Sequence, residues 1–98
     1  MNPLNGEQKR RLKSMAHHLK PVIMIGKNGL TAALLDAVNK ALDDHELIKI
    51  KFIDFKDEKG DIIREITHTT ASEQIAVIGN IAIIFRQNKN AEKRRIVV

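Results

Sequence analysis

Four histidines, a glycine-flanked Lys-Asn pair and a run of basic side chains near the N-terminus are the residues of this 98-residue chain whose types could do chemistry. A zinc-hydrolase helix needs two imidazoles at i and i+4, but His17 and His18 are adjacent and point about 100° apart on a helix. His45 and His68 stand alone, and a lone histidine is usually a surface or helix-end residue. Without cysteine the chain has no disulfide, thiolate metal site or thiol nucleophile, which fits a reducing compartment. No nucleophile–base pair is legible, so the sequence reads as a non-enzyme with no metal and no cofactor.

Gly26-Lys27-Asn28-Gly29 is more informative. It is not a Walker A loop, which has four residues between its glycines and Lys-Ser/Thr after the second, nor does it hold the three glycines of a dinucleotide fingerprint. A bare G-x-x-G is usually an ordinary tight turn. Here it joins an apolar run to a helix start, where unpaired N–H groups and partial positive charge favour a phosphate. Lys27 adds a full charge and Asn28 a donor, and glycines at both ends allow unusual dihedrals and close backbone approach. KH domains clamp backbone nucleotides with the same device.

The third grouping lies upstream. At 100° per residue Lys9, Arg10, Lys13, His17 and Lys20 share one sector of a helix, a basic strip about three turns long. Residues 1–30 hold Lys9, Arg10, Arg11, Lys13, Lys20 and Lys27 against Glu7 alone, a local +5. Residues 31–88 carry seven basic and ten acidic side chains, −3, and residues 89–98 four against one, +3. All excess positive charge therefore sits at the ends, and charge so concentrated makes a field that attracts a polyanion.

The elements that must position these groups follow from periodicity. Asn5 and Gln8 form a capping-box pair, Leu12, Met15, Ala16 and Leu19 an apolar stripe, and Pro21 a stop, predicting a helix to about Leu19. Val22-Ile23-Met24-Ile25 reads as a strand buried on both faces. Thr31 caps a second helix whose stripe is Leu34, Leu35, Val38, Ala41 and Leu42. From Glu46 to Ile53 the chain alternates, with Ile48, Ile50 and Phe52 facing one way and Lys49 and Lys51 the other. A charged connection leads to a third helix carrying Ile62, Ile63 and Ile66, whose Thr67-His68-Thr69-Thr70 end is a poor helix former. Gly79-Asn80 then separates two apolar runs as a hairpin turn. The fold class is α/β (α+β) in the order α-β-α-β-α-β-β: a mixed four-stranded sheet packed with three helices. Both strand–helix–strand units are expected to form parallel pairs. Residues 1–88 read as a single domain, followed by a loose basic tail over 89–98.

No apolar run approaches the ~20 residues that span a bilayer. The opening MNPLNGEQKRRLKS lacks the apolar core of a signal peptide, so a soluble cytoplasmic protein is expected. Of three aromatics, Phe52 and Phe85 lie in core patterns, which argues against base stacking of the RRM kind and for recognition through phosphates and shape.

Taken together, the chain resembles a CRM domain (chloroplast RNA splicing and ribosome maturation) of the YhbY-like bacterial stand-alone type. The resemblance runs from about Gln8 to Arg86. It is carried by Leu12-Lys13-Ser14-Met15-Ala16-His17-His18-Leu19-Lys20-Pro21, Ile25-Gly26-Lys27-Asn28-Gly29-Leu30-Thr31, His45-Glu46-Leu47-Ile48-Lys49-Ile50-Lys51 and Val77-Ile78-Gly79-Asn80. It implies a fold similar to the C-terminal domain of translation initiation factor three. It also implies a protein that binds structured ribosomal RNA in precursors of the large subunit through Gly26, Lys27, Asn28, Gly29 and a basic surface including Lys13 and Lys20. Two positions depart from the family pattern: Asn80 where a basic residue is common, and Phe85 where tyrosine is common. The rival readings are a small duplex-DNA-binding protein and an assembly factor contacting ribosomal proteins; neither a membrane nor a small-molecule substrate is implied.

Overall fold

The computed structural model describes residues 3–98. The elements are α1 (Gly6–Ala16), β1 (Ile23–Ile25), α2 (Ala32–His45), β2 (Leu47–Phe52), α3 (Lys59–Thr70), β3 (Glu73–Ile78) and β4 (Ile81–Phe85), in the expected order. Short 3-10 turns at Lys56–Glu58 and Ala91–Lys93 precede α3 and interrupt the C-terminal segment. The caps form as the sequence indicates. Gln8 N–H donates to Asn5 Oδ1 at 2.8 Å while Asn5 N–H donates to Gln8 Oε1 at 2.9 Å, and Leu34 N–H donates to Thr31 Oγ1 at 3.1 Å. The threonine-rich end of α3 stays helical to Thr70. Thr67 and Thr70 hydroxyls donate back to the carbonyls of Arg64 and Ile66, and Ala71 closes the helix in the left-handed region at φ 53°.

The strands lie in the order β1-β2-β4-β3. β1 pairs parallel with β2, but β2 and β3 do not pair: β4 inserts between them, antiparallel to both. The expected second parallel pair is thus replaced by two antiparallel ones. The cause is composition. Ala82, Ile83, Ile84 and Phe85 are buried and need cover on both faces, which a central strand receives. Glu73 and Gln74 suit β3 to the edge, where charge also blunts unwanted pairing.

Ile48, Ile50 and Phe52 of β2 join Ile23, Ile25, Val38, Leu42, Ile63, Ile66, Ala82 and Ile84 in one core beneath α2 and α3. On the opposite face Leu12 and Ala16 of α1 pack on Leu47, Ile83 and Phe85, with Ile75, Ile96 and Val98 around them. The expectation that β1 is buried on both faces fails. β1 is an edge strand and α1 does not reach it, so Met24 is 55 % exposed between buried Ile23 and Ile25.

The C-terminal segment is docked rather than loose. Glu46, 1 % exposed, turns its carboxylate onto three backbone N–H groups: Asn88 (2.7 Å), Arg95 (2.6 Å) and Ile96 (3.1 Å). Its own carbonyl accepts from Arg86 N–H at 2.9 Å. The Arg86 guanidinium in turn donates to Asn39, Asp43 and the Thr70 carbonyl, joining the ends of α2 and α3 to β4.

Between β1 and α2 the chain turns through Gly26-Lys27-Asn28-Gly29, closed by Gly29 N–H donating to Gly26 O at 3.0 Å. The two glycines differ. Gly29 sits at φ +65°, and a Cβ there would lie 3.3 Å from the Phe55 ring; Gly26 has open space around it and no positive φ. Close approach is therefore required at one glycine, not both. Phe55 reaches this position because Ile53 and Asp54 N–H groups both donate to Ile25 O, at 2.9 and 3.1 Å, tying the end of β2 to the end of β1.

Glu46→Ala is expected to cost about 2–4 kcal/mol in urea unfolding, because it strands several N–H groups that share one carboxylate. The amides of Arg95 and Ile96 should exchange with solvent faster than those of the sheet. Gly29→Ala should lower stability by about 1–2 kcal/mol through its left-handed dihedral, while Gly26→Ala keeps the wild-type unfolding midpoint.

Candidate nucleic-acid interface

On α1, Arg10 and Lys13 are exposed and Lys9 is half-buried. The helix stops at Ala16, a turn earlier than the apolar stripe suggests: His17 N–H donates to Ser14 O at 3.2 Å and Leu19 N–H to Ala16 O at 2.9 Å. This tightened end leaves the Leu19 carbonyl for the Lys49 ammonium, which donates to it at 2.9 Å. Lys20 lies beyond the end of α1, before Pro21, and leaves the strip. It lines a separate hollow with Met15, Leu19, Val22, His45 and Arg95. The predicted strip therefore divides: Arg10, Lys13 and His17 stay together, Lys9 lies to one side, and Lys20 faces elsewhere.

The three that remain together wall a groove of about 630 Å³. Ser14 and His18 complete that wall, and Lys49, Ile78, Ile81 and Ile83 form the floor. No carboxylate lines it. Lys49 and His18 are additions to the predicted site, and the Lys-Ile-Lys alternation of β2 was the signal for Lys49. Isoleucines at 48 and 50 claim the α2/α3 face, so Lys49 and Lys51 must emerge on the α1 face.

Gly26, Lys27, Asn28 and Gly29 lie in a second, shallow hollow with Met24, Thr31 and Leu34. Lys27 and Asn28 are exposed at the tip, and the chain runs straight into α2, whose first N–H groups have no partners within the helix. The two hollows are separate, the second bounded also by Ala33 and Ala37 of α2, and a row of the sheet runs between them. Met24 is in register with Lys51, Lys51 with Ile81, and Ile81 with Ile78, so these four side chains form one row on the α1 face. Met24 lines the loop hollow, while Ile81 and Ile78 line the groove. The row crosses three inter-strand spacings, about 14 Å, or roughly four stacked nucleotides at ~3.4 Å each.

Other predicted positions take structural roles. Phe85 is fully buried beneath α1, and Asn80 is half-buried with its carbonyl accepting from Phe52 N–H at 2.8 Å. Lys93, Arg94 and Arg95 are exposed, with Arg95 beside Lys20 rather than the glycine loop. Among the described residues no group of three His, Cys, Asp or Glu is placed to hold a metal ion, and no helix is long and apolar enough to cross a membrane.

Comparison with known proteins agrees with this architecture. The chain is 41 % identical over 93 residues to an RNA-binding protein of Haemophilus influenzae, covering 94 % of each chain. It is 38 % identical over 91 residues to a protein of Pseudomonas aeruginosa named a probable RNA-binding protein, covering 92 % of this chain and 88 % of that one. A probable RNA-binding protein of Bacillus subtilis matches at 32 % over 87 residues, 88 % of this chain and 91 % of the relative. The solution structure of a hypothetical protein from Staphylococcus aureus superposes with a TM-score of 0.79 at 31 % identity, covering 97 % of this chain and all of that one. The family model of the CRS1/YhbY (CRM) domain matches residues 4–86, and with the glycine loop, the α1 motif and the mixed sheet in place this chain belongs to that family.

Proposed function

We propose that this protein binds structured ribosomal RNA through the Gly26–Gly29 loop and the basic face of α1, and acts in assembly of the large ribosomal subunit in the cytoplasm. The observation that carries the reading is a groove lined by Arg10, Lys13, His17 and Lys49 and by no acid, with the row Met24–Lys51–Ile81–Ile78 running from it toward the loop hollow. A groove with basic side chains and no carboxylate, next to a row about 14 Å long, suits a phosphate backbone better than a ligand without negative charge. Lys27 and Asn28 contact phosphates at the loop, and the α2 N-terminus adds partial positive charge. The relatives named as RNA-binding proteins support RNA as the polymer. The ribosomal target follows from the family resemblance. No reaction is assigned: the protein works by binding.

Lys27→Glu should weaken binding to structured RNA about tenfold or more without moving the unfolding midpoint, as read by anisotropy and by urea titration. The slope of log K against log salt should fall by about one unit, the signature of one lost phosphate contact. An unchanged affinity rules out the loop. Cross-linking in cells should enrich large-subunit precursor RNA, and a scatter over unrelated transcripts would remove the ribosomal assignment. Equal affinity for B-form DNA and structured RNA at one salt concentration would favour a duplex-DNA protein instead.

A further inference from the structure

The groove under α1 has more apolar surface than phosphate binding needs. Ile78 is 53 % exposed on an edge strand and Ile81 beside it is half-buried, yet both line a groove walled by Arg10 and Lys13. A phosphate gains nothing from isoleucine. A nucleobase does, because its face is apolar while its flanking phosphates are charged. Planar groups on the wall point the same way: Arg10, His17 and His18 line the groove, and the two imidazoles meet edge to face with centroids 5.4 Å apart. Guanidinium and imidazole planes are among the side chains on which unpaired RNA bases stack. They supply here what the missing tyrosines and tryptophans do not. The volume, about 630 Å³, falls within the ~300–1,000 Å³ range of small-molecule sites.

A continuous A-form duplex cannot fill such a groove, since its bases are stacked and its major groove is too narrow for side chains to read. We propose that the groove seats one unpaired nucleobase, on a floor of Ile78 and Ile81 and against Arg10, His17 and His18, with Lys49 on an adjoining phosphate. The preferred ligand is then a helix interrupted by a bulge or loop, its backbone running on toward Lys27. The inference rests on the RNA-binding reading above and narrows its substrate.

Two RNA hairpins with the same stem, one carrying a single bulged 2-aminopurine, test it at one salt concentration. The wild-type protein should bind the bulged hairpin about five- to tenfold tighter, with a change in 2-aminopurine emission on binding. Ile78→Ser, at an exposed position, should reduce that preference to below about twofold by weakening the bulged hairpin several times more than the paired one; His18→Ala should act in the same direction. Equal affinity of the wild type for both hairpins overturns the base seat and leaves the groove to a protein side chain. A preference that survives both substitutions overturns it as well. Loss of binding to both RNAs overturns the RNA-binding reading itself, so the two failures are distinguishable.

Discussion

An eleven-residue helix, about 16 Å long, cannot cover one face of a four-stranded sheet, and most of what is distinctive here follows from that shortfall. The other face has α2 and α3, and the residues of β1, β2 and β4 that face them are buried. On its own face α1 reaches Leu47, Ile83 and Phe85, and with Ile96 and Val98 closes only that end. Met24, Lys51 and Ile78 are left uncovered and Ile81 half-covered, one from each strand. Apolar side chains left this way would mark a sticky patch on an ordinary monomer. Here a lysine stands in the row and the rim is cationic, which sustains solubility while keeping the apolar atoms available to a ligand.

The opposite end of the molecule is locked. Glu46 and Arg86 make hydrogen bonds that most surface ion pairs lack, because each serves several backbone groups from a buried or nearly buried position. Arg86 is 17 % exposed and spans α2, α3 and β4, and Glu46 gathers the C-terminal segment. Glu46 accepts an unfavourable backbone for this, φ 64° in a non-glycine residue directly after α2. The Arg86–Asp43 contact by itself is worth little where Asp43 is exposed; the guanidinium's bonds to carbonyls and Asn39 matter more. Rigid support at one end and an open face at the other separate stability from binding, so substitutions in the groove can be made without unfolding the domain.

Local rules made much of this legible. The Asn5–Gln8 cap, the Thr31 cap, the alternation that turns Lys49 and Lys51 away from Ile48 and Ile50, and the Gly79-Asn80 hairpin each depend on neighbours a few residues apart. What was not legible depends on which element lies over which. The apolar run of β1 is compatible with burial on one face or two, and only the reach of α1 decides. The central place of β4 was foreshadowed by its unbroken apolar sequence against the polar start of β3, but the crossover pattern favoured a parallel pair. The docking of residues 88–98 onto Glu46 joins positions more than 40 apart, and no local pattern announces a carboxylate that will collect amides from a distant segment. The candidate site divides the same way. Its cations are evident as residue types, yet the separation of Lys20 from Arg10 and Lys13 needs the actual end of α1.

The net charge of +5 understates the field at this surface. Asp36, Asp43 and Asp44 lie on α2, and Asp61 and Glu65 on α3, all on the far side of the sheet from α1. The sheet lies between the two sets, so each presents its charge to solvent on its own side of the molecule. A polyanion approaching α1 meets Arg10, Lys13, Lys49 and Lys51, while one approaching α2 and α3 meets carboxylates interspersed with Lys40, Lys59 and Arg64, with Asp43, Asp44 and Asp61 ion-paired. The charge pattern thus sets orientation before any contact forms. On the proposed reading, a phosphate backbone drawn to the α1 face would lie beside the row Met24–Lys51–Ile81–Ile78, between the loop and the groove.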